Sequence, residues 1–426
     1  MPKTEFSVLW RASSQERAAY PALGDDLVVD IAIVGGGFTG SAAALEAARS
    51  GASVCLLEAE TIGHGGSGRN VGLVNAGLWL PPDAVIHEMG EEAGTRLVAA
   101  LGEGPQTVFS SIEREGIECE ATRRGTLHLA HSKAGLEDLE ERFRQGNRFG
   151  VPLELLDRDE TARRTGTQAF EGALFDPRAG TIQPLAYCRG LARAAAAHGA
   201  HVFEHSPVAS AAREGDTWLI EANGRRVRAG YLLMATNAYH SGLAASFRPT
   251  FVRLNYCQFA TRPIPAELRA AILPGGEGCW DTAMVMSSLR LDDAGRLIVG
   301  GVGSFEGAGR AVHERWARRK VAHLFPALKD IAFEHGWSGA IAMTGDHIPK
   351  IVAFDRNAYA SFGYSGRGIA PGTVFGTAAA KALLNGTPEA LPMAPVETYR
   401  ERYTAARSGY YAFGAAFVHA VSARRD

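Results

Sequence analysis

The sequence lacks the features that mark membrane-spanning, secreted or nucleic-acid-binding proteins. Its 426 residues contain no uninterrupted apolar run of about 18, so we expect no spanning helix. The N-terminal stretch MPKTEFSVLWRASSQ has neither the basic start nor the apolar core of a secretory signal, which favours a cytoplasmic location. Because 44 basic residues face 46 acidic ones, for a net charge of −2, the overall charge gives no reason to expect a nucleic-acid partner.

Cysteine is scarce and scattered. The five cysteines form no C-x-x-C pair and no metal-type spacing: Cys55, Cys119, Cys188, Cys257 and Cys279. We therefore expect reduced thiols and no metal site. The chain also lacks an H-E-x-x-H motif, a Ser/His/Asp order and internal repeats. Its composition is globular and its length predicts two domains.

Glycine is abundant, and its densest cluster opens a predicted nucleotide-binding unit. In VVDIAIVGGGFTGSAAALEAARSGASVCLLE, the pattern predicts a buried parallel strand over Val28 to Val34 and a helix over Thr39 to Ser50. A second strand is predicted over Ala52 to Leu57, and Glu58 closes the unit. Three glycines between the first strand and the helix complete G-x-G-x-x-G.

Each part of this unit has a physical purpose. Gly35 permits a tight turn, Gly37 lets the backbone approach a pyrophosphate, and Gly40 lets helix and strand pack closely. The helix N-terminus offers free N–H groups to phosphates, and Glu58 would accept hydrogen bonds from a ribose. The competing interpretation is a glycine turn in an ordinary βαβ unit, but the complete strand, helix, strand and acid favour a dinucleotide.

The next segment distinguishes between cofactors. ETIGHGGSGRNVGLVNAGL is rich in glycine directly after the second strand, which favours backbone lying against something flat and bulky, such as a flavin, over a plain nicotinamide site. A later cluster, RLIVGGVGSFEG, lacks a following phosphate-binding helix and a strand ending in an acid. We interpret its glycines as part of a β-turn, and we therefore expect a single dinucleotide site.

The order of the predicted helices and strands along the chain predicts a cofactor domain that is formed by separate segments. We expect an α/β fold in which residues 1–80, 150–250 and 336–426 form the cofactor domain, while residues 81–149 and 251–335 form an inserted, antiparallel substrate domain. The C-terminal stretch GYYAFGAAFVHAVSARRD is apolar and ends basic. A docked C-terminal helix is the favoured interpretation, and peripheral membrane docking is the alternative.

Taken in order, a set of landmarks resembles the FAD-dependent D-amino-acid oxidase superfamily, which includes glycine and sarcosine oxidases. They are DIAIVGGGFTG, Glu58, GGSGRNVG, DPRAGTIQP, VASAA, LLMATNAY, GRLIVGG, WSGAIAMTGDHIPKI and GYSGRGIAPGT. Within that superfamily the pattern is most similar to γ-glutamylputrescine oxidase-type amine oxidases. The resemblance implies a Rossmann-like FAD-binding domain of the glutathione-reductase type.

The resemblance also assigns cofactor-binding residues. At the pyrophosphate it implies Gly35, Gly37, Phe38, Thr39 and Gly40, and at the ribose Glu58 and Ala59. Beside the isoalloxazine it implies Gly66, Ser67, Arg69, Asn70, Val71 and Gly72. Toward the adenosine and phosphates it implies Val208, Ala235, Thr236 and Asn237, with Gly339 and Asp346 also on the cofactor side. At the flavin pyrimidine edge it implies Gly366, Arg367, Gly368, Ile369 and Thr373.

The resemblance implies non-covalent FAD, because no cysteine follows residue 279 and the SGRN segment has no histidine where His-linked relatives carry one. His64, a few residues upstream, is the alternative for a covalent attachment. The implied reaction transfers a hydride from an amine or amino acid to flavin N5; the imine then hydrolyses and O2 becomes H2O2. The alternatives are a dehydrogenase passing electrons to a quinone or carrier protein, and a flavin-binding protein without catalysis. The oligomeric state stays open.

Substrate-side residues depart from the family pattern at Val71, Arg367 and Ser288 to Arg290. Arg367 is our candidate for stabilising reduced flavin, with a surface salt bridge as the alternative. Arg253 and Arg290 are candidates for a substrate carboxylate, with a solvated arginine as the alternative. Apolar walls would come from Tyr256, Trp280, Met284 and Met286, unless these are ordinary core residues. His240 and His347 are interpreted as structural.

Overall fold

The computed structural model describes residues 7–307 and 309–421. The helices in this part of the chain are α1 Leu9–Ser13, α2 Phe38–Arg49, α3 Pro82–Met89, α4 Glu91–Gly102, α5 Gly104–Glu115, α6 Lys133–Arg148, α7 Arg158–Thr165, α8 Pro184–Ala197, α9 Ala266–Arg269, α10 Gly309–Leu324, α11 Ile369–Asn385 and α12 Thr404–Val421. The first strands are β1 Leu27–Val34, β2 Val54–Leu57, β3 Leu73–Val74, β4 Thr126–Leu129, β5 Glu154–Leu156, β6 Ala173–Asp176, β7 Gly180–Thr181, β8 His201–Phe203 and β9 Val208–Glu214. The remaining strands are β10 Thr217–Ala222, β11 Arg225–Met234, β12 Val252–Pro263, β13 Gly278–Asp281, β14 Ser287–Leu291, β15 Arg296–Val302, β16 Phe333–Met343, β17 Lys350–Asp355 and β18 Ala358–Phe362.

The first sheet is built around β1. Its order is β17-β18-β11-β1-β2-β8, with β10 and β9 added as a hairpin extension of β11. β1 runs parallel to both of its neighbours. Ile31 and Ile33 belong to the core under α2 and α8, whereas Ala32 and Val34 belong to the core on the opposite face. This burial on both faces explains why β1 reads as a continuous apolar run.

The predicted βαβ unit is confirmed within two residues at each end. The helix expected over 39–50 is α2, and the flanking strands are β1 and β2. Asn223 and Gly224 both have positive φ between β10 and β11. That combination is typical of a tight hairpin turn.

The second sheet is almost entirely antiparallel. Its order is β16-β12-β15-β14-β13-β4-β6-β5, and only β13 and β4 run parallel. The glycine cluster at RLIVGGVG contains β15, which pairs antiparallel with β12 and β14. The mixed α/β architecture is that predicted from the sequence.

Some strands pair across the boundaries that we predicted between the two domains. β5 and β6 lie in the range 150–250, which we assigned to the cofactor domain, yet both pair within the second sheet. β16 crosses the expected limit at residue 336. The division into domains therefore stays a prediction.

The C-terminal helix α12 is docked, as the favoured interpretation predicted. Its Ala415 and His419 are buried against the rest of the protein. The His419 ring stacks on Trp316 of α10 at 3.9 Å, and its Nδ1 lies 2.8 Å from Nδ1 of His313. Residues 422–426 of the predicted helix lie outside the described residues. Within the described residues, we find no helix that combines the length and the apolar character needed to span a bilayer.

Candidate cofactor and substrate site

The turn between β1 and α2 accepts only glycine at two positions. Gly35 has φ +108°, and a Cβ there would lie 2.8 Å from the carbonyl oxygen of Ala235. A Cβ on Gly40 would lie 1.9 Å from the carbonyl oxygen of Gly35. The N-cap of α2, Gly37, has no side chain to cap the helix. The first N–H groups of α2 are therefore presented along a surface of bare backbone.

The N-terminal turn of α11 meets that of α2. A Cβ on Gly372 would lie 3.2 Å from Oγ1 of Thr39, and one on Gly376 would lie 2.2 Å from the Thr39 carbonyl. Oγ1 of Thr39 is also 2.8 Å from the Tyr364 hydroxyl. The N-cap of α11, Gly368, again provides no side-chain cap, and a Cβ there would meet nothing within 4 Å. Two positive helix ends thus lie side by side, and neither N-cap residue supplies a side-chain cap of its own.

Glu58 lies at the end of β2 beside the glycine turn. Its Oε2 accepts a hydrogen bond of 2.7 Å from the Gly36 N–H, and its Oε1 accepts one of 3.0 Å from the Glu60 N–H. Burial raises the pKa of the Glu58 carboxyl, and the two backbone hydrogen bonds oppose that rise. Ala59, which follows, is exposed.

Asn70 holds the loop from Gly63 to Gly72 in shape. Its Nδ2 donates to the carbonyls of Gly66 at 3.1 Å and Ser67 at 2.9 Å, while its Oδ1 accepts from the Gly72 N–H at 2.9 Å. Oγ of Ser67 accepts a hydrogen bond of 3.0 Å from the Phe38 N–H. The predicted loop residues are thereby brought against the N-terminus of α2.

Three large side chains that the sequence did not reveal as loop supports hold this segment from outside. Trp10 Nε1 donates to the Asn70 carbonyl at 2.8 Å, and Trp337 Nε1 donates to the Arg69 carbonyl at 2.7 Å. The two indole rings make an edge contact at 5.8 Å. Arg290 lies with its guanidinium 5.5 Å from the Trp10 ring.

Arg290 is fully buried and faces backbone carbonyls. Its Nη1 donates to Ile182 at 2.5 Å and to Val71 and Gly72 at 3.4 Å each. Burial lowers the pKa of this guanidinium, and the carboxylates of Glu120 and Asp292 oppose the change. The structure therefore places Arg290 behind the loop, as a contact between β14 and the segment that includes Val71.

The side chain of Arg69 turns toward His64. It donates to the His64 carbonyl, and its Nη2 lies 3.2 Å from His64 Nε2, while Arg11 Nη2 lies 3.1 Å from His64 Nδ1. Burial lowers the pKa of His64, and the charges of Arg69 and Arg11 lower it further. Both ring nitrogens of His64 therefore face guanidinium groups.

The remaining predicted cofactor residues lie at or next to the ends of strands. Asn237 Oδ1 accepts from the Gly363 N–H at 3.1 Å, and Val208 is buried at the start of β9. Thr236 Oγ1 lies 3.0 Å from His240 Nδ1. The carboxylate of Asp346 forms an ion pair with Lys350.

Tyr256 and Gly339 lie together beside the loop. The Tyr256 hydroxyl donates to the Gly66 carbonyl at 3.3 Å, and a Cβ on Gly339 would lie 2.5 Å from that hydroxyl oxygen. Burial raises the pKa of Tyr256 well above its usual value. The hydroxyl is thus a neutral donor at the edge of the glycine loop.

Arg367 extends from the start of α11 toward the second sheet. Its Nη1 donates to the Ala76 carbonyl at 2.7 Å, and its guanidinium lies 5.2 Å from the Trp280 ring, which stacks on His128 at 4.8 Å. Burial lowers the pKa of Arg367 to about 9, and the charge of Arg142 contributes. Within the described residues, no carboxylate lies within ion-pair distance of Arg367.

The other substrate-side candidates are dispersed. Arg253 is exposed, with its guanidinium 5.8 Å from the Tyr239 ring. Met284 is 98% exposed in the loop between β13 and β14, so the prediction that it lines an apolar wall is wrong. Met286 is half-buried, whereas Trp280 is buried beside Arg367. His347 packs against Trp79 with ring centres 5.2 Å apart.

Comparison with known proteins shows to which family this chain belongs. The DAO family, described as FAD dependent oxidoreductase, matches residues 30–382. The chain is 30% identical over 420 residues to gamma-glutamylputrescine oxidoreductase of Escherichia coli, covering 95% of this chain and 97% of that protein. It is 25% identical over 334 residues to glycine oxidase of Geobacillus kaustophilus, covering 76% and 83% respectively.

The crystal structure of glycine oxidase from Geobacillus kaustophilus shares the fold, with a TM-score of 0.70 and 20% identity over 84% of this chain and 95% of that one. The family match spans most of the chain, and the full-length relative covers both sheets. This chain is therefore an enzyme that belongs to the DAO family of FAD-dependent oxidoreductases.

Proposed function

We propose that this enzyme oxidises the C–N bond of an amine or amino acid and passes the electrons to O2. The observation that carries the proposal is the meeting of two helix N-termini whose N-cap residues are glycines, Gly37 of α2 and Gly368 of α11, beside the cation of Arg367, which forms no ion pair within the described residues. The first feature suits a dinucleotide, and the second suits charge that develops during its reduction. The names of the relatives, which include an amine oxidoreductase and an amino-acid oxidase, support the substrate class.

The residues present fit FAD. Bare backbone at Gly35, Gly37 and Gly40 leaves room for a pyrophosphate, and the N–H groups of α2 would bind it. Glu58 would exchange its present backbone partners for the hydroxyls of the ribose. The loop held by Asn70 would lie along the flavin ring, and the start of α11 would face its pyrimidine edge. Bound FAD supplies an acceptor for the two electrons and the hydrogen of the substrate Cα–H bond.

We further propose that FAD is held without a covalent bond. His64 is the nearby candidate for attachment, and both of its ring nitrogens face arginines. These contacts hold the imidazole away from a role as a nucleophile. Acid precipitation of the holoenzyme should release all of the flavin into the supernatant, and flavin that stays with the protein would contradict this.

Arg367 is proposed to stabilise the negative charge of the reduced cofactor. Its side chain is partly buried, and the neighbouring carboxylate of Asp176, which raises the pKa of Arg367, is itself paired with Arg178. The guanidinium therefore keeps a positive field in the neighbouring space. The Ala76 carbonyl and the Trp280 ring hold it in one position. Positive charge held before the reaction costs no reorganisation when the substrate is oxidised.

The Trp280 and His128 stack is proposed to favour the neutral amine. Burial lowers the pKa of His128 well below 6.5, and the charges of Arg142 and Arg367 lower it further. A wall of indole and neutral imidazole beside a guanidinium disfavours an ammonium ion by desolvation and by like charge. The substrate would therefore lose its proton before the Cα–H bond breaks.

The decisive experiment is a panel of amines and of D- and L-amino acids, including γ-glutamylated amines. Each compound is mixed anaerobically with the holoenzyme, and bleaching of the flavin is followed before air is admitted. We expect at least one compound to bleach the flavin and to release H2O2 in air. If no member of the panel bleaches it, the proposed oxidation is wrong and a non-catalytic role gains support.

A dehydrogenase that passes electrons to a quinone or carrier protein is the second candidate. The exposed aromatic residues of α12 favour it, because they offer a surface for docking. Bleaching without peroxide in air, together with rapid reoxidation by a soluble quinone, would favour this candidate over the oxidase.

Substitution of Arg367 tests the proposed charge role. Arg367→Ala should lower the flavin midpoint potential by roughly 30 mV or more, since about 1.4 kcal/mol corresponds to that shift for two electrons. It should also slow anaerobic reduction by substrate, and Arg367→Lys should retain part of both. An unchanged potential in Arg367→Ala would remove this residue from the role.

A further inference from the structure

The outward side of α12 carries an apolar surface with an unusual concentration of aromatic residues. Of the twelve large hydrophobic side chains exposed in the described residues, five lie between positions 403 and 421. We call this set the aromatic face: Tyr403 (80% exposed), Tyr410 (75%), Phe413 (73%), Phe417 (59%) and Val421 (36%). Such clustering differs from the single exposed hydrophobic residues that are normal on a soluble protein.

The spacing of the aromatic face makes it continuous. Within α12, residues 410, 413, 417 and 421 follow one another at intervals of three and four, which places them on one side of a helix. Ala415 and His419 occupy the opposite side, where they are buried. Phe413 and Phe417 have nearly parallel rings, with centres 6.3 Å apart. The helix therefore uses small residues and one histidine to dock, and leaves its large residues outside.

In the part of the chain that the structure describes, three arginines without a carboxylate partner lie on α10, on β12 and in the segment before α12, all of which adjoin this helix. Arg253 on β12 lies next to α12, because its backbone N–H donates a hydrogen bond of 3.0 Å to Ser408 Oγ. Arg315 lies on α10, which packs against α12 through Trp316, and Arg402 immediately precedes the helix. All three arginines are exposed, and within the described residues no carboxylate lies within ion-pair distance of any of them.

Two acidic residues on the neighbouring segments are paired with arginines. Glu314 on α10 pairs with Arg318 at 2.8 Å, and Glu401 pairs with Arg407 at 2.8 Å. Among the described residues, Arg253, Arg315 and Arg402 therefore remain as positive charges without a carboxylate partner on the segments next to α12. A second copy related by a twofold axis would bring like charges together, which disfavours it as the occupant.

We propose that the aromatic face binds the surface of an anionic lipid bilayer. The aromatic side chains would enter the interfacial region of the lipids, and the neighbouring arginines would face the anionic headgroups. The helix would lie in the plane of the membrane and would not cross it. This role is separate from the proposed oxidation, because none of the residues of the aromatic face contributes to the cofactor site.

The test is co-sedimentation of the full-length holoenzyme with vesicles. We expect binding to phosphatidylcholine vesicles that contain phosphatidylglycerol, much weaker binding to pure phosphatidylcholine, and a decrease with added salt. The double variant Phe413→Ser/Phe417→Ser should bind at least about tenfold more weakly, since both rings leave the interface. Met284→Ser is the matched control, because Met284 is equally apolar and 98% exposed but lies outside the aromatic face.

Two further measurements make the outcome decisive. Arg315→Glu should weaken binding to the anionic vesicles while leaving the apolar residues in place, so the test survives if the double variant folds poorly. Sedimentation velocity without lipid reports self-association. A wild-type protein that ignores anionic vesicles, a double variant that binds like wild type, or a dimer that the double variant dissolves would each overturn the proposal.

Discussion

The glycine turn at α2 and the surroundings of Arg367 are built in opposite ways. At the turn the backbone forms much of the surface, and a side chain at Gly35 or Gly40 would meet another backbone atom. Around Arg367 the surface consists of side chains from distant strands, such as Trp280 and His128. A backbone surface can bind a group that every relative shares, whereas a side-chain surface can change with the substrate. The surface at the glycine turn is therefore fixed, whereas the surface around Arg367 can adapt to different substrates.

The largest effect on FAD binding and stability is expected at Gly40, where helix α2 packs directly against the backbone of the turn. Gly40→Ala would place a Cβ 1.9 Å from the Gly35 carbonyl oxygen, so α2 would have to move away from the turn. Overpacking of this kind typically costs about 1–3 kcal/mol or more. We expect a protein that purifies without yellow colour and melts well below the wild type, as measured by visible absorbance and calorimetry.

Gly414→Ala is the control for this substitution, because a Cβ at that position of α12 would meet nothing within 4 Å. It should leave the flavin content unchanged and the melting temperature equal to or above that of wild type. A Gly40→Ala protein with full flavin content and native melting would show that the turn tolerates a side chain.

A smaller effect is expected from Arg290, which contacts the segment that includes Val71 and Gly72 from β14. Arg290→Met removes the donor that serves the carbonyls of Ile182, Val71 and Gly72. The Gly72 carbonyl keeps its bond from the Ile182 N–H, whereas a buried carbonyl that is left without a partner costs about 1–3 kcal/mol. We expect a lower melting temperature and weaker FAD binding, because the end of the glycine loop loses its support.

The alternative for Arg290 is the carboxylate role predicted from the sequence. In that case Arg290→Met would keep its flavin and its melting temperature but would raise KM for carboxylate substrates with little change in kcat. Arg253→Met provides the control, since Arg253 is exposed and its loss should leave the melting temperature close to that of wild type.

The sequence reveals the backbone surface because its constraints are local. The run from Leu27 to Val34, the three glycines and Glu58 lie within one short βαβ unit, so strand, turn and helix patterns all report the same structure. The family resemblance extended these predictions to the loop around Asn70. Its assignments of individual cofactor residues stay predictions, although the structure brings many of them to the same turn.

The supports of the loop escape sequence analysis because they are long-range contacts from side chain to backbone. Trp337 donates to a carbonyl 268 positions away, and no local pattern encodes such a contact. The prediction for Met284 was wrong for a related reason. An apolar residue type alone does not show whether a loop turns the side chain inward or outward. Side-chain surfaces need the tertiary structure before their members can be recognised.

Glu58 should show an intermediate effect. Glu58→Gln keeps the size of the side chain but replaces a carboxylate acceptor by an amide, which weakens its bonds to backbone N–H groups and to a ribose. We expect FAD to bind about tenfold more weakly, equivalent to about 1.4 kcal/mol. Fluorescence titration of the apoprotein with FAD measures this directly.

Glu60→Gln is the matched control, because Glu60 is exposed two positions further along the chain. Its FAD affinity should equal that of wild type. An unchanged affinity in Glu58→Gln as well would mean that the carboxylate serves the turn alone and does not recognise the cofactor.

The smallest effect is expected on the side-chain surface, at His128. Burial holds the pKa of His128 well below 6.5 in the folded protein. The unfolded chain therefore binds a proton first as the pH falls, and stability that is present above the unfolded pKa decreases below about 6.5. Wild type should melt at a lower temperature at pH 5 than at pH 7, and His128→Phe should show a shallower slope, as followed by calorimetry across this range.

His128 should not set the pH dependence of the reaction, since a neutral imidazole stays neutral through this window. His128→Phe should keep any inflection in the rate of anaerobic flavin reduction, because that inflection would belong to the amine of the substrate. His201→Phe, at an exposed histidine, should leave the slope of the melting temperature nearly as in wild type. An inflection that vanishes in His128→Phe alone would make His128 a proton acceptor, and the adaptable surface would then take part in the chemistry itself.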